Sequence, residues 1–222
     1  MVKKYLVMAS PRSGSNLLQF LLMKLNRCKY YYPELFITPN ICVDEELKLY
    51  NTIAEKNNNL VLKFMYIHLH RFKNSEIKMF KKFLYNNKFY IIRLKRNDLR
   101  EQIFSWAIAL TSQEFELQTS NKFVCSYNTL YNCFQYILDC QIYLKNNYYN
   151  IPIDQEVNYE DLLNGNIMID NVNIGAPDSL RPEVARRSIP KSEKLWNFDD
   201  INRWYDQLEK TYEEKVAYAN RL

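Results

Sequence analysis

Lys4-Tyr5-Leu6-Val7-Met8-Ala9-Ser10-Pro11-Arg12-Ser13-Gly14-Ser15-Asn16-Leu17-Leu18 is the stretch that decides how the rest of this chain is read. The mostly apolar run ending at Ala9 suits a short buried strand. Leu17, Leu18, Leu21, Leu22 and Leu25 then recur at helical spacing. Between them lies a loop of small and polar residues. Strand, loop and helix in this order build a phosphate cradle in α/β proteins, because the first amides of a helix have no internal partner and point at whatever sits there. Gly14 lets the backbone curl close to an anion, Ser13, Ser15 and Asn16 add hydrogen-bond donors, and Arg12 adds a planar cationic fork. A kinase-type loop requires Gly, four residues and Gly-Lys-Ser/Thr; this loop has one Gly, and its cation is Arg12.

At 222 residues the chain is read as a single domain, residues 1–222, large enough for a full hydrophobic core. No apolar run approaches the ~18 residues of a spanning helix, and the N-terminal apolar piece is too short for a signal peptide. The expectation is a soluble, cytoplasmic protein with no membrane partner. Cys28, Cys42, Cys125, Cys133 and Cys140 are odd in number and form no CxxC pair, which argues against a disulfide framework and against a zinc site. Cys133 and Cys140 fall in a helical pattern and read as small core or boundary residues. A formal net charge of +5 suits a polyanionic small molecule and equally a nucleic acid, but 25 acidic residues accompany the 30 basic ones, so neither is strongly implied.

Along the chain, residues 30–36 read as an extended loop after Pro33 restricts its neighbour. A polar helix follows over 44–56, then a second apolar strand over 60–67 interrupted by Lys63, with His68 and His70 alternating at its end. A basic amphipathic helix spans 75–86, and a third strand, nearly continuous in apolar residues, spans 89–94. That strand runs into Lys95-Arg96-Asn97-Asp98 and a helix to about Leu110. Leu99, Ile103, Trp106, Ala107 and Leu110 form its core stripe, while Asp98, Gln102 and Ser105 share another. A long packing helix carries Tyr127, Leu130, Tyr131, Phe134, Ile137 and Leu138. A fourth strand over 154–158 leads into Tyr159-Glu160-Asp161, residues near 164–195 read as irregular, and a final helix begins at about Asp199. Alternating strands and helices predict an α/β fold with a P-loop-like parallel sheet flanked by helices. Ligands of such sheets sit outside the carboxyl ends of the strands. The corners at Arg12, Arg96 and Tyr159 all follow strands and are expected to converge there.

Three separated motifs, in order, resemble those of sulfotransferases that use 3′-phosphoadenosine 5′-phosphosulfate (PAPS). Pro11-Arg12-Ser13-Gly14-Ser15-Asn16 resembles the family's 5′-phosphosulfate loop after the first strand. Arg96-Asn97-Asp98, with Gln102 and Ser105, resembles the 3′-phosphate motif in the spacing of the bacterial trehalose-type branch. Val157-Asn158-Tyr159-Glu160-Asp161-Leu162 resembles a late family element. The resemblance implies a sulfotransferase fold, PAPS as co-substrate, no metal, and a small-molecule acceptor with a hydroxyl or amine. It implies that Arg12 neutralises the bridging oxygen and the transferring sulfuryl group and that Ser13, Gly14, Ser15 and Asn16 hold the 5′-phosphate. Arg96 and Ser105 would clamp the 3′-phosphate, and Tyr159 would lie near the adenine. Arg186, Arg187 and Ser188 occupy the region of the family's late loop over the 3′-phosphate. Leu17 stands where the cytosolic enzymes carry a Trp that stacks on adenine.

In-line transfer needs positioning, stabilisation of the leaving phosphate and a base for the acceptor proton. Two residues compete for the last role. Glu34 matches the Pro-x-Glu segment of the trehalose-type branch, and His68 resembles the Lys-Thr-His segment of the cytosolic hormone and phenol enzymes; the motif spacing favours Glu34. Two other functions fit the composition: an atypical P-loop small-molecule kinase, which would need Mg²⁺ and a loop lysine, and a basic nucleic-acid-binding module, for which no aromatic-basic motif is present. The acceptor's identity and the oligomeric state are not encoded in any of these motifs.

Overall fold

The computed structural model describes residues 3–28, 34–36, 42–112, 123–146, 149–165, 167–174 and 195–219. β1 (Lys4–Ala9) is the centre of a five-stranded parallel sheet with β2 (Glu34–Leu35), β3 (Leu60–Met65), β4 (Phe89–Lys95) and β5 (Gln155–Asn158), in the order β2-β3-β1-β4-β5. Five of the six residues of β1 are buried, as expected of a strand covered on both faces. Period-two alternation divides its side chains between two cores. Leu6 and Met8 join Leu62, Phe64 and Ile91 beneath α2 (Val43–Lys56) and α3 (Asn74–Asn86). Tyr5, Val7 and Ala9 join Val61, Ile92, Leu94 and Val157 beneath α1 (Ser15–Leu25).

Several expectations shift. The second strand ends at Met65, and the chain turns into a 3₁₀ helix, Tyr66–Arg71, so His68 and His70 do not alternate on a strand. Glu34 lies in a strand rather than a loop, paired in register with Lys63, with Leu35 opposite Phe64. After α6 (Tyr159–Leu163), part of the stretch read as irregular is a two-stranded antiparallel hairpin, β6 (Met168–Ile169) and β7 (Val172–Asn173). Asp170 and Asn171 at its tip have φ of 51° and 64°, the left-handed pair that a two-residue hairpin turn requires.

The described residues form two compact units, one within 1–97 and 140–185 that holds the sheet, the other within 98–139 and 186–222. The second unit contains α4 (Leu99–Ser112), the first part of α5 (Tyr127–Asn146) and α7 (Phe198–Ala219) around Ile103, Phe104, Phe134, Ile137, Ile201 and Tyr205. Within it Arg100 pairs with Asp206 and lies over the Tyr205 ring. Asn197 holds the Cys125 backbone in both directions. Cys133 and Cys140 are buried, and burial pushes the Cys133 thiol up to about 12. Among the described residues no helix is long and apolar enough to cross a membrane.

Candidate functional site

The β1–α1 corner is a strained, tightly packed loop. Arg12 adopts φ 58° and Gly14 φ 86°, both left-handed. At Gly14 the cause is steric: a Cβ there would collide with Cδ2 and Cε2 of the Tyr159 ring, so only glycine lets α1 begin where it does. Arg12 carries the same backbone sign without that exemption, a cost of about 1–3 kcal/mol that other contacts must offset. Ser13 is fully buried and its hydroxyl donates to the Ser10 carbonyl at 2.7 Å, so its proton braces the loop. Gly14, the N-cap residue of α1, supplies no side-chain cap. The amides of Ser15, Asn16 and Leu17 precede its first intrahelical bond, from Leu18 N–H to the Gly14 carbonyl.

Arg96 comes from the end of β4, the strand next to β1. Its Nη1 donates to the Arg12 carbonyl at 3.0 Å, and its guanidinium lies 4.7 Å from the centre of the Tyr159 ring. Tyr159 follows β5, the next strand across. The three corners therefore meet at one edge of the sheet. Burial, together with the like charge of Arg96, pushes the Arg12 guanidinium below its ordinary range, while Tyr159 opposes the shift. Two cations held this close favour an anion beside them. Glu160 of the same late motif serves the backbone, since both its oxygens accept from Asn97 N–H, at 3.0 and 3.2 Å.

A second group lies at the ends of β2 and β3. The two candidate bases, read as competitors, touch: His68 Nε2 lies 2.6 Å from Glu34 Oε1. Lys63 Nζ is 3.5 Å from Glu34 Oε2 and donates to Asn16 Oδ1 at 2.6 Å. Alternation explains the link. Val61, Lys63 and Met65 point to the α1 side of the sheet, which brings the ammonium under the start of α1. The Glu34, Lys63 and His68 side chains are all nearly buried, at 12%, 9% and 8% exposure. Burial in such surroundings requires pairing, and the chain Asn16–Lys63–Glu34–His68 supplies it.

Glu46, on the first turn of α2, completes this corner. Its Oε1 accepts from Phe36 N–H at 2.6 Å, and Phe36, at φ 59°, is the first residue after β2, two residues after Glu34. Burial raises the Glu46 carboxyl, while the Phe36 amide and the charge of His68 hold it down. Lys63 and Glu46 have no part in the motifs. The signal for Lys63 is a lysine inside an otherwise apolar strand; Glu46 has none, being one of three acids in a row.

Ser105 is half-buried on α4 and Gln102 fully buried on it; Asp98 Oδ1 accepts from Glu101 N–H at 2.9 Å and caps that helix. These three belong to the second unit, and Arg96 to the first. Arg186, Arg187 and Ser188 lie outside the described residues. No protein-family model and no curated protein matches this chain.

Proposed function

We propose that the protein is a sulfotransferase that moves a sulfuryl group from PAPS to a hydroxyl or amine of a small acceptor. The observation that carries this reading is the meeting of Arg12 and Arg96 at the ends of adjacent parallel strands. It brings the Arg96 guanidinium against the loop that carries Arg12, ahead of the first amides of α1, a combination that suits a nucleotide with phosphates at both ends. The anion loop after the central strand of a five-stranded parallel sheet also suits a P-loop-like sulfotransferase fold. The α1 amides, with Ser15 and Asn16, are assigned to the 5′-phosphate, Arg12 to the bridging oxygen, and Arg96 to the 3′-phosphate.

Glu34 takes the acceptor proton as the new oxygen–sulfur or nitrogen–sulfur bond forms and the bond to the leaving phosphate breaks. His68 is its hydrogen-bond partner rather than a rival, which joins the two candidate bases in one device. Lys63 ties that device to the loop through Asn16. In-line transfer then rests on positioning and on cations facing the charge that develops on the leaving phosphate. Calorimetric titration of the full chain with 3′,5′-adenosine bisphosphate tests the reading. Saturable binding, tighter than that of 5′-AMP, is the expected result, and no binding at high ligand overturns it.

A further inference from the structure

Arg96 stands just beyond β4, where the ladder that fixes the strand has run out. Its neighbour Lys95 is the last residue of β4 in register with β5, opposite Asn158. A guanidinium on a long, rotatable stem is costly to order, so a residue that must meet a phosphate in one geometry gains affinity when that order is set in advance. Contacts on both the side chain and the peptide set it here. Nη1 donates to the Arg12 carbonyl at 3.0 Å, and the guanidinium lies 4.7 Å from the centre of the Tyr159 ring. Both oxygens of Glu160 accept from Asn97 N–H, at 3.0 and 3.2 Å. That amide belongs to the planar peptide joining Arg96 to Asn97. The carboxylate therefore fixes the chain on one side of the Arg96 Cα, and the β4–β5 ladder fixes it on the other. Tyr159 and Glu160 are consecutive at the start of α6, where Asn158 Nδ2 donates to Asp161 Oδ2 at 3.0 Å and braces the turn. One corner thus grips Arg96 twice.

We propose that Glu160 is a positioning residue that sets the preference of this site for a nucleotide carrying a 3′-phosphate, by holding the Arg96–Asn97 peptide so that the guanidinium is aimed before the ligand arrives. This inference rests on Arg96 binding the 3′-phosphate in the proposed sulfuryl transfer. Glu160 acts through Arg96 and exchanges no atoms with the substrate. Asn97 is exposed, so without the carboxylate its N–H turns to water and the peptide can rotate. The sign of the effect separates positioning from charge. Removing a negative charge beside an anion site would, by electrostatics alone, tighten the bisphosphate. Losing a positioning contact weakens it, and weakens only the ligand that Arg96 reads. The α1 amides assigned to the 5′-phosphate belong to another corner and are left as they were.

The experiment is calorimetric titration of the full chain with 3′,5′-adenosine bisphosphate and with 5′-AMP. Glu160→Ala should weaken the bisphosphate by about fivefold and 5′-AMP by less than about twofold. Glu160→Gln loses the charge but keeps an oxygen in reach of Asn97 N–H, so it should bind the bisphosphate as tightly as the wild type or more so. In an Arg96→Ala background, Glu160→Ala should add less than about twofold, because the group it positions is gone. Amide exchange of the ligand-free protein, read by NMR, checks the contact itself. Asn97 N–H should exchange at least about tenfold faster in Glu160→Ala and near the wild-type rate in Glu160→Gln. Equal weakening of both nucleotides, a tighter bisphosphate in Glu160→Ala, a full loss in the Arg96→Ala background or an unaltered Asn97 exchange rate overturns the inference. Should Glu160→Ala not fold, Glu160→Asp takes its place with the same expected outcomes, since it keeps an acid in the first turn of α6 and withdraws it by one methylene. The two failures are distinct. No bisphosphate binding by the wild type removes the sulfotransferase reading, whereas binding that Glu160→Ala leaves unchanged removes only the role of Glu160.

Discussion

The carboxyl edge of the sheet has two halves of opposite character. Where β1, β4 and β5 end, the chain gathers Arg12, Arg96 and Tyr159 around a left-handed loop and the start of α1. Where β2 and β3 end, it gathers Glu34, Lys63, His68 and Glu46, acids and bases nearly closed off from water. On the proposed reading, one half holds negative charge and the other holds a proton in a chosen place. Asn16, at the start of α1, touches both through Lys63. If the proposed function holds, the difference teaches how one parallel sheet can separate grip from chemistry, with adjacent strands supplying each and the helix after the central strand joining them.

Removing the base breaks the comparison most sharply. Glu34→Gln keeps the shape but cannot accept a proton, and should lower kcat for sulfuryl transfer by roughly 10²–10⁴-fold while leaving bisphosphate affinity within a few-fold. Equal losses of kcat and affinity would merge the two halves. On the other side, Arg96→Ala should weaken 3′,5′-adenosine bisphosphate by about 30–100-fold, or about 2–2.7 kcal/mol, with little change for 5′-AMP. Titration of both ligands against both proteins checks this. A parallel loss for 5′-AMP would mean that Arg96 acts only by holding the Arg12 carbonyl.

Gly14→Ala is next in size. The methyl must enter the space of the Tyr159 ring and accept φ 86°, so a loss of about 1–3 kcal/mol is expected. Thermal melting should show it as a Tm lower by about 2–10 °C. Truncating Tyr159 in the same chain should recover part of it, because the overlap disappears and the backbone strain stays. No recovery would mean that the ring yields and the strain alone matters.

The corner of Arg12, Arg96 and Tyr159 was legible because its information is local. A strand, a loop with one glycine and a leucine-patterned helix follow one another between Lys4 and Leu25, and Arg96 and Tyr159 each follow a strand of the same sheet. The corner of Glu34 and His68 was legible only as separate candidates. Glu34 and His68 are 34 positions apart, and their contact depends on a two-residue strand pairing with β3, which no periodicity could reveal. The 3₁₀ helix that turns His68 back toward Glu34 was equally hidden, because Tyr66-Ile67 continues the apolar run of the strand. Glu46 acts through a backbone amide, and any residue could have supplied that donor. Ser13 shows the converse limit: its place in the loop was readable, but its hydroxyl proton faces the Ser10 carbonyl.

The smallest effect concerns the joint between the halves. Asn16 is exposed, so its bond to the nearly buried Lys63 should contribute only about 1 kcal/mol, since water competes for the Asn16 side chain. Asn16→Ala alone should therefore cost only a few-fold in either bisphosphate affinity or kcat. Its value lies in combination. With Arg96→Ala the losses in affinity should add, because Arg96 is bonded to the Arg12 carbonyl rather than to Lys63. With Glu34→Gln the losses in kcat should fall short of the sum, because Lys63, released by Asn16, has lost the carboxylate whose position it helped to set. Double-mutant cycles on the two readouts separate these outcomes. Additivity in both would leave the two halves as neighbours on one sheet edge. A shortfall confined to kcat makes Lys63 the connection by which a filled anion loop places the base.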